Sequence, residues 1–172
     1  MNHPSRPADA TLRKALAMID DATHGMSRDD LQHAESDRWS VAHILEHLGK
    51  AYGSTAYIMR KVLSDGAPKG RAPSWKQRMF AFAIVSGGYF PTGVKAPAVT
   101  EPSGMEPEQA LAMARGALLE LDQAADACLT RFGPRARVAN HPLLGGFTVD
   151  QWRRFHWRHT AHHARQIRAR RR

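Results

Sequence analysis

Residues 151–167 read QWRRFHWRHTAHHARQI. At about 100° per residue, an α-helix places Trp152, His156, His159, His163 and Gln166 in one stripe roughly 80° wide. Arg154, Arg158, Arg165 and Arg168 gather on the opposite side. Guanidinium groups belong in water, so the histidine stripe faces the protein interior. A core stripe is ordinarily Leu, Ile or Val. Here it is largely imidazole, and burying imidazoles costs free energy unless each finds a partner.

Working outward, Thr148 and Gln151 form a capping box that opens this helix. A preceding helix begins near Pro107, a natural first-turn residue, carries Leu111, Leu118, Leu121 and Ala125, and ends before Gly133. Between them, His141 followed by Pro142 reads as a turn residue in a loop. Toward the N-terminus, Ser40 is a good N-cap for a long helix over about residues 40–63, stopped by Ser64-Asp65-Gly66. Its apolar side carries Ile44, Leu48, Ala51, Thr55, Ile58, Met59 and Val62. A first helix spans about residues 8–23, with Leu12, Leu16 and Ile19 on one stripe and Gly25 beyond its end. The polar stretch 27–38 has room for one turn of helix. Residues 68–73 form a linker, and residues 74–85 a helix bearing Trp75, Met79, Phe80 and Phe82. The stretch 87–104, with Pro91, Pro97 and Pro102, is irregular, and loops of that length are usually functional. No internal repeat and no β pattern stand out. The expectation is an all-α fold, an antiparallel four-helix bundle with an additional short helix, forming a single domain over residues 1–172.

A metal ion is one partner that satisfies several buried imidazoles at once. His159 and His163 are four residues apart, so both rings can grip one ion. A third ligand must come from another helix, and His47, at the edge of the long helix's apolar face, is the best donor. His43 points further from that face, and Glu46 further still, toward solvent. His156 reads as a lining residue beside the ligands, and His162 lies on the flank of the stripe. His3, His24 and His33 fall in weakly patterned regions. The alternative for the stripe is a hydrogen-bonded core without metal.

These residues resemble a known family. Trp39-Ser40 followed by His47-Leu48, and the closing run from His159 through His162 and His163 to Gln166 and Ile167, are similar to the motifs of the DinB-like superfamily, which includes the YfiT-type metal-dependent proteins. The stretch from His141 and Pro142 through Gly145, Phe147 and Thr148 to Gln151 and Trp152 is similar to an uncharacterised branch of it. The resemblance covers about residues 36–167. It implies a four-helix bundle with a metal held by one histidine of the second long helix and an HxxxH pair of the last. By position these are His47, His159 and His163.

Three neutral imidazoles leave an ion with open positions for water or substrate, the catalytic arrangement, whereas structural zinc is closed by four protein ligands. Imidazole suits zinc, nickel, iron or copper. Relatives in the superfamily include transferases that activate a low-molecular-weight thiol. The resemblance therefore implies a metal-dependent enzyme joining such a thiol to a small electrophilic substrate, in detoxification or stress. Hydrolysis by metal-bound water is the enzymatic variant, though no carboxylate is obviously placed as its base. A non-catalytic metal-binding module is the reading of another class.

The formal charge of +9 raises the question of nucleic acid, but eight arginines lie in residues 153–172 and no acid follows Asp150. A basic helix end complements the helix dipole. No recognition helix or base-stacking aromatic cluster stands out, so nucleic acid is not an expected partner. No apolar run approaches the roughly 18 residues of a membrane span. The polar first ten residues lack the sections of a signal peptide, and the single cysteine, Cys128, has no intrachain partner. A cytoplasmic protein is expected, with Cys128 a buried small residue. Trp39 and Trp152 read as core. Trp157 lies off the stripe beside the basic face, where exposure would mark a homodimer surface.

Overall fold

The computed structural model describes residues 6–34, 38–90 and 95–171. His3, Ser36, Pro91 and Arg172 lie outside the described residues, as does the middle of the 87–104 stretch. Among the described residues there are six α-helices: α1 Ala10–Thr23, α2 Arg28–Gln32, α3 Val41–Asp65, α4 Trp75–Ala81, α5 Pro107–Phe132 and α6 Val149–Arg168. A π-helical turn, Phe82–Ser86, continues α4, and a single 3-10 turn spans Ala98–Thr100. The four long helices, α1, α3, α5 and α6, build the bundle. Helix α3 packs chiefly along α5, and α1 along α6.

Local chemistry explains the boundaries. Asp9 caps α1 by accepting from the backbone N–H groups of Thr11 and Leu12. Ser40 with His43, and Thr148 with Gln151, form reciprocal capping boxes at the starts of α3 and α6. Gly66, at φ +75°, ends α3 in the left-handed conformation that glycine adopts without strain. Gly49 sets how closely α3 and α5 approach, since a Cβ there would lie 2.9 Å from Met113 Cγ. The core between the layers includes Leu12, Ile19, Ile44, Leu48, Met59 and Leu118, all fully buried. On α6, Arg153 is nearly buried and ties three helices together. It lies 2.5 Å from Asp126, 3.8 Å from Asp122 and 3.6 Å from Asp9.

The segment between α5 and α6 departs from the expected loop. Residues Arg137–His141 (β1) and Gly145–Thr148 (β2) form an antiparallel hairpin with an irregular register between Arg137 and Ala139. Its strands are too short, and their burial too irregular, to leave a two-residue alternation. Residues 69–71 run beside it. Lys69 N–H donates to Val138 O (3.1 Å), Gly70 N–H to Arg137 O (2.9 Å) and Gly146 N–H to Arg71 O (3.0 Å). Any Cβ at Gly146 would meet Arg71 O at 2.3 Å.

His141 therefore ends a strand instead of sitting in a plain turn. Its ring packs 4.7 Å from that of Phe155, and its Nδ1 accepts from Leu143 N–H. Trp152 is core, as expected. Trp157 is half-buried against the core, with the Arg158 guanidinium 4.3 Å above its ring, so it gives no ground for a dimer surface. Cys128 is fully buried, its thiol pushed up to about 11 by burial, as befits an inert packing residue. No helix among the described residues is long and apolar enough to cross a membrane.

Candidate metal centre

Helices α3 and α6 bring His47, His159 and His163 together. His159 Nε2 lies 3.2 Å from His47 Nε2 and 3.1 Å from His163 Nε2. Helical spacing explains the α6 pair, and the apolar packing of α3 around Ile44 and Leu48 carries His47 to it. His47 and His163 are buried and His159 half-buried. Aromatic rings wall the cluster. Trp39 lies 5.1 Å from His47, so it lines the site as well as packing on the core. Phe155 stacks on His159 at 5.6 Å and an interplanar angle of 17°. Phe90, from the irregular stretch, lies 5.5 Å from His159 and 5.3 Å from His162.

The hydrogen bonds around the cluster settle its protons. His47 Nδ1 is 2.9 Å from Thr100 O, a pure acceptor, so the proton is on Nδ1 and Nε2 is bare. His163 Nδ1 is 2.8 Å from Gln166 Oε1, so its Nε2 is bare too. Gln166 Nε2 lies 3.1 Å from His162 Nε2, which agrees with that amide orientation and makes His162 an acceptor occupied elsewhere. Burial lowers the pKa of all three clustered imidazoles: His163 to about 3, His47 below its ordinary value, and His159 far below it.

His159 Nε2 faces two bare nitrogens and can offer at most one proton. At least one close contact would then set lone pair against lone pair. A cation between the three nitrogens removes that conflict. The spacings fit one. Two zinc–nitrogen bonds of about 2.0–2.1 Å meeting at roughly 90–110° hold their nitrogens about 2.9–3.4 Å apart. These three histidines could hold a metal ion, and among the described residues no other group of His, Cys, Asp or Glu side chains does so.

The remaining histidines are occupied otherwise. The Thr55 hydroxyl donates to Ala51 O, so it accepts from His156 Nε2–H at 3.0 Å. His156 is fully buried and held at about 3 by desolvation, a packed neighbour of the cluster and not part of it. Beside it, Thr160 donates to His156 O, which leaves the Tyr52 hydroxyl to donate to Thr160 at 2.5 Å. His43 serves the capping box of α3.

Glu46 overturns the expectation of a solvent-facing carboxylate. It has no exposed surface. Oε1 accepts from Ser103 N–H (2.9 Å) and the Ser103 hydroxyl (2.6 Å), and Oε2 from the N–H groups of Gly104 (3.1 Å) and Met105 (3.0 Å). Lys50 Nζ lies 2.7 Å away. Burial pushes the carboxyl up, but the bonds from Lys50, Ser103 and the loop N–H groups outweigh it and bring it to about 2. Glu46 thus fastens the end of the irregular stretch to α3. The same stretch supplies Thr100 O to His47. Three positioning groups were not singled out from sequence: Glu46, Thr100 and Gln166. For Gln166 the signal was present, three residues after His163 on the same stripe.

A family model of the DinB superfamily matches residues 11–167. The chain belongs to the DinB superfamily. No curated protein and no solved structure matches it. The DinB assignment accords with the mostly helical fold, and the histidine cluster falls within the matched span.

Proposed function

We propose that this DinB protein is a metal-dependent enzyme that joins a low-molecular-weight thiol to a small electrophile, with His47, His159 and His163 as metal ligands. The observation that carries the reading is the convergence of three Nε2 atoms, two of them bared by Thr100 O and Gln166 Oε1. Three protein ligands leave room for substrate, where a structural site would have four. A divalent transition metal bound there, zinc, nickel or iron, supplies a Lewis acid that lowers the pKa of a thiol toward neutrality.

The chain's own groups do the rest. Thr100 and Gln166 hold two rings in the ligating tautomer, the role that outer hydrogen-bond partners play in metal sites. Phe90, Phe155 and Trp39 wall the imidazoles with apolar surface. Glu46 is fully engaged by the loop, so it is not available as the general base that hydrolysis by activated water requires. A thiol needs less help, because its ordinary pKa of about 8.5 is far closer to neutrality than that of water.

The test is turnover of a chromogenic aryl halide by the metal-loaded protein across a panel of low-molecular-weight thiols. Thiol-dependent product, lost in a folded His163→Ala variant, is expected. Turnover absent with every thiol, in protein shown to carry its metal, would favour a non-catalytic metal-binding module.

A further inference from the structure

Six of the nine large apolar side chains exposed among the described residues fall in one short span: Trp75, Met79, Phe80, Phe82, Tyr89 and Val99. Residues 66–100 also carry five Lys or Arg and no Asp or Glu. Exposed aromatic rings and one-signed charge therefore occupy the same segment. Clustered apolar exposure of this kind marks an interaction site.

The packing of α4 sets which side faces out. Ala81 and Val85 are the buried residues of α4 and its π-helical continuation. Pro73 and Gln77 lie against the hairpin, where a Cβ at Gly145 would meet Pro73 Cβ at 2.7 Å and Gln77 Oε1 at 3.1 Å. At about 100° per residue, Trp75, Met79 and Phe82 share a stripe turned away from Ala81, Phe80 lies on the other flank, and Lys76 stands between them. Lys76 Nζ is 5.9 Å from the centre of the Trp75 ring.

The charge of the segment is largely unspent. Lys69 is held by Asp65. Arg71, Lys76, Arg78 and Lys95 are exposed and have no ion-pair partner among the described residues. Beside the stripe, one concavity mixes Met79, Phe82 and Leu144 with Arg78 and Arg154. Its one acid, Asp150, already faces Arg154 across 3.1 Å.

We propose that this face docks on an anionic lipid surface, with Trp75, Met79, Phe80 and Phe82 entering the interface and Arg71, Lys76, Arg78 and Lys95 meeting the phosphate headgroups. Charge decides against a second copy of the chain. A two-fold contact would set the cations of this face against themselves, with no acid of the segment to offset them. Direction decides against a groove on another protein. The four side chains spread over roughly 160° of the helix surface, too wide for one groove, whereas the headgroup region takes aromatic rings and basic side chains along a helix lying in its plane. Such docking is peripheral and needs no membrane-crossing helix. The inference is independent of the metal centre.

The experiment is co-sedimentation of the full chain with vesicles of equal parts phosphatidylglycerol and phosphatidylcholine, beside vesicles of phosphatidylcholine alone, with tryptophan emission followed in parallel. The chain is expected to bind the anionic vesicles at least about tenfold more tightly than the neutral ones, and its emission to shift to the blue as Trp75 leaves water. A Trp75→Ser, Phe82→Ser variant keeps every charge, and a Lys76→Glu, Arg78→Glu variant keeps every ring. All four side chains are exposed, so both variants should fold, as circular dichroism would check, with the metal content of the wild type. Each should bind the anionic vesicles at least about tenfold more weakly. No pelleting, or equal affinity for the two kinds of vesicle, would overturn the proposal. Pelleting retained in full by the serine variant would overturn it in favour of simple adsorption of a basic protein. A dimer in solution that the serine variant abolishes would overturn it in favour of a second copy covering this face.

Discussion

Glu46→Gln tests how the loop is tied to the metal centre. The substitution keeps size and shape and replaces one carboxylate oxygen with an NH2 group. The amide oxygen can still serve Ser103, but the N–H groups of Gly104 and Met105 then face a donor. Each unpaired buried donor costs about 1–3 kcal/mol, which gives about 2–6 kcal/mol for the pair. The carboxyl's titration supplies a second route to the magnitude. A fall from 4.5 to about 2 corresponds to about 3 kcal/mol at neutral pH. The two agree on about 3 kcal/mol, or a Tm lower by about 6–12 °C for a chain of this size.

The sign with pH follows from the lowered pKa. The contribution is complete above about pH 4.5 and disappears as pH falls toward 2, so wild type and variant should converge in acid. Loosening residues 103–105 also frees the neighbouring Thr100, the acceptor that fixes His47, and metal affinity should drop about tenfold. Denaturant unfolding at pH 7 and pH 3, with metal titration of both proteins, measures all of this. A variant as stable as wild type with the same metal affinity would refute the anchoring role of Glu46.

Gln166→Leu removes the acceptor from His163 Nδ1 and should lower metal affinity about 10- to 100-fold in a folded protein, as read by competition with a chromogenic chelator. The metal-free protein should lose stability as pH falls below about 6.5, because His156 and His163, both at about 3 in the fold, take up protons only when unfolded. Each contributes about 1.4 kcal/mol per pH unit in that window, and metal loading should raise stability without changing the slope, because His163 is already unprotonated in the metal-free fold, as thermal melts from pH 7 to 5 would show. Gly49→Ala should destabilise by about 1–3 kcal/mol, despite alanine's better helix propensity, because its Cβ would crowd Met113 and the Ala114 backbone; urea unfolding measures it.

The bundle and its histidine cluster were legible because helices expose their geometry through periodicity. A spacing of four put His159 and His163 on one face, and Ser40, Pro107, Gly133 and Thr148 marked helix ends with side-chain or backbone chemistry. The misreadings came where other physics ruled. Helical angle placed Glu46 outside, which holds against neighbouring helices, but a returning loop covers that side with its own N–H groups. Thr100 acts through a backbone carbonyl, which leaves no trace in residue type. The hairpin around Gly145 and Gly146 is too short for alternation. The helix bearing Trp75, Met79, Phe80 and Phe82 was legible, but whether anything covers these side chains was not, because periodicity reports a face and not what lies against it; all four face solvent.

The most direct test of the metal centre is elemental analysis of protein purified without a metal-binding tag, beside a His47→Ala, His159→Ala, His163→Ala triple variant. The arrangement of the three Nε2 atoms predicts close to one equivalent of a transition metal in the wild type, absent from a variant that remains folded. Wild-type protein that carries no metal and takes up neither zinc, nickel nor iron when offered them would contradict it, and would make the histidine stripe a hydrogen-bonded core.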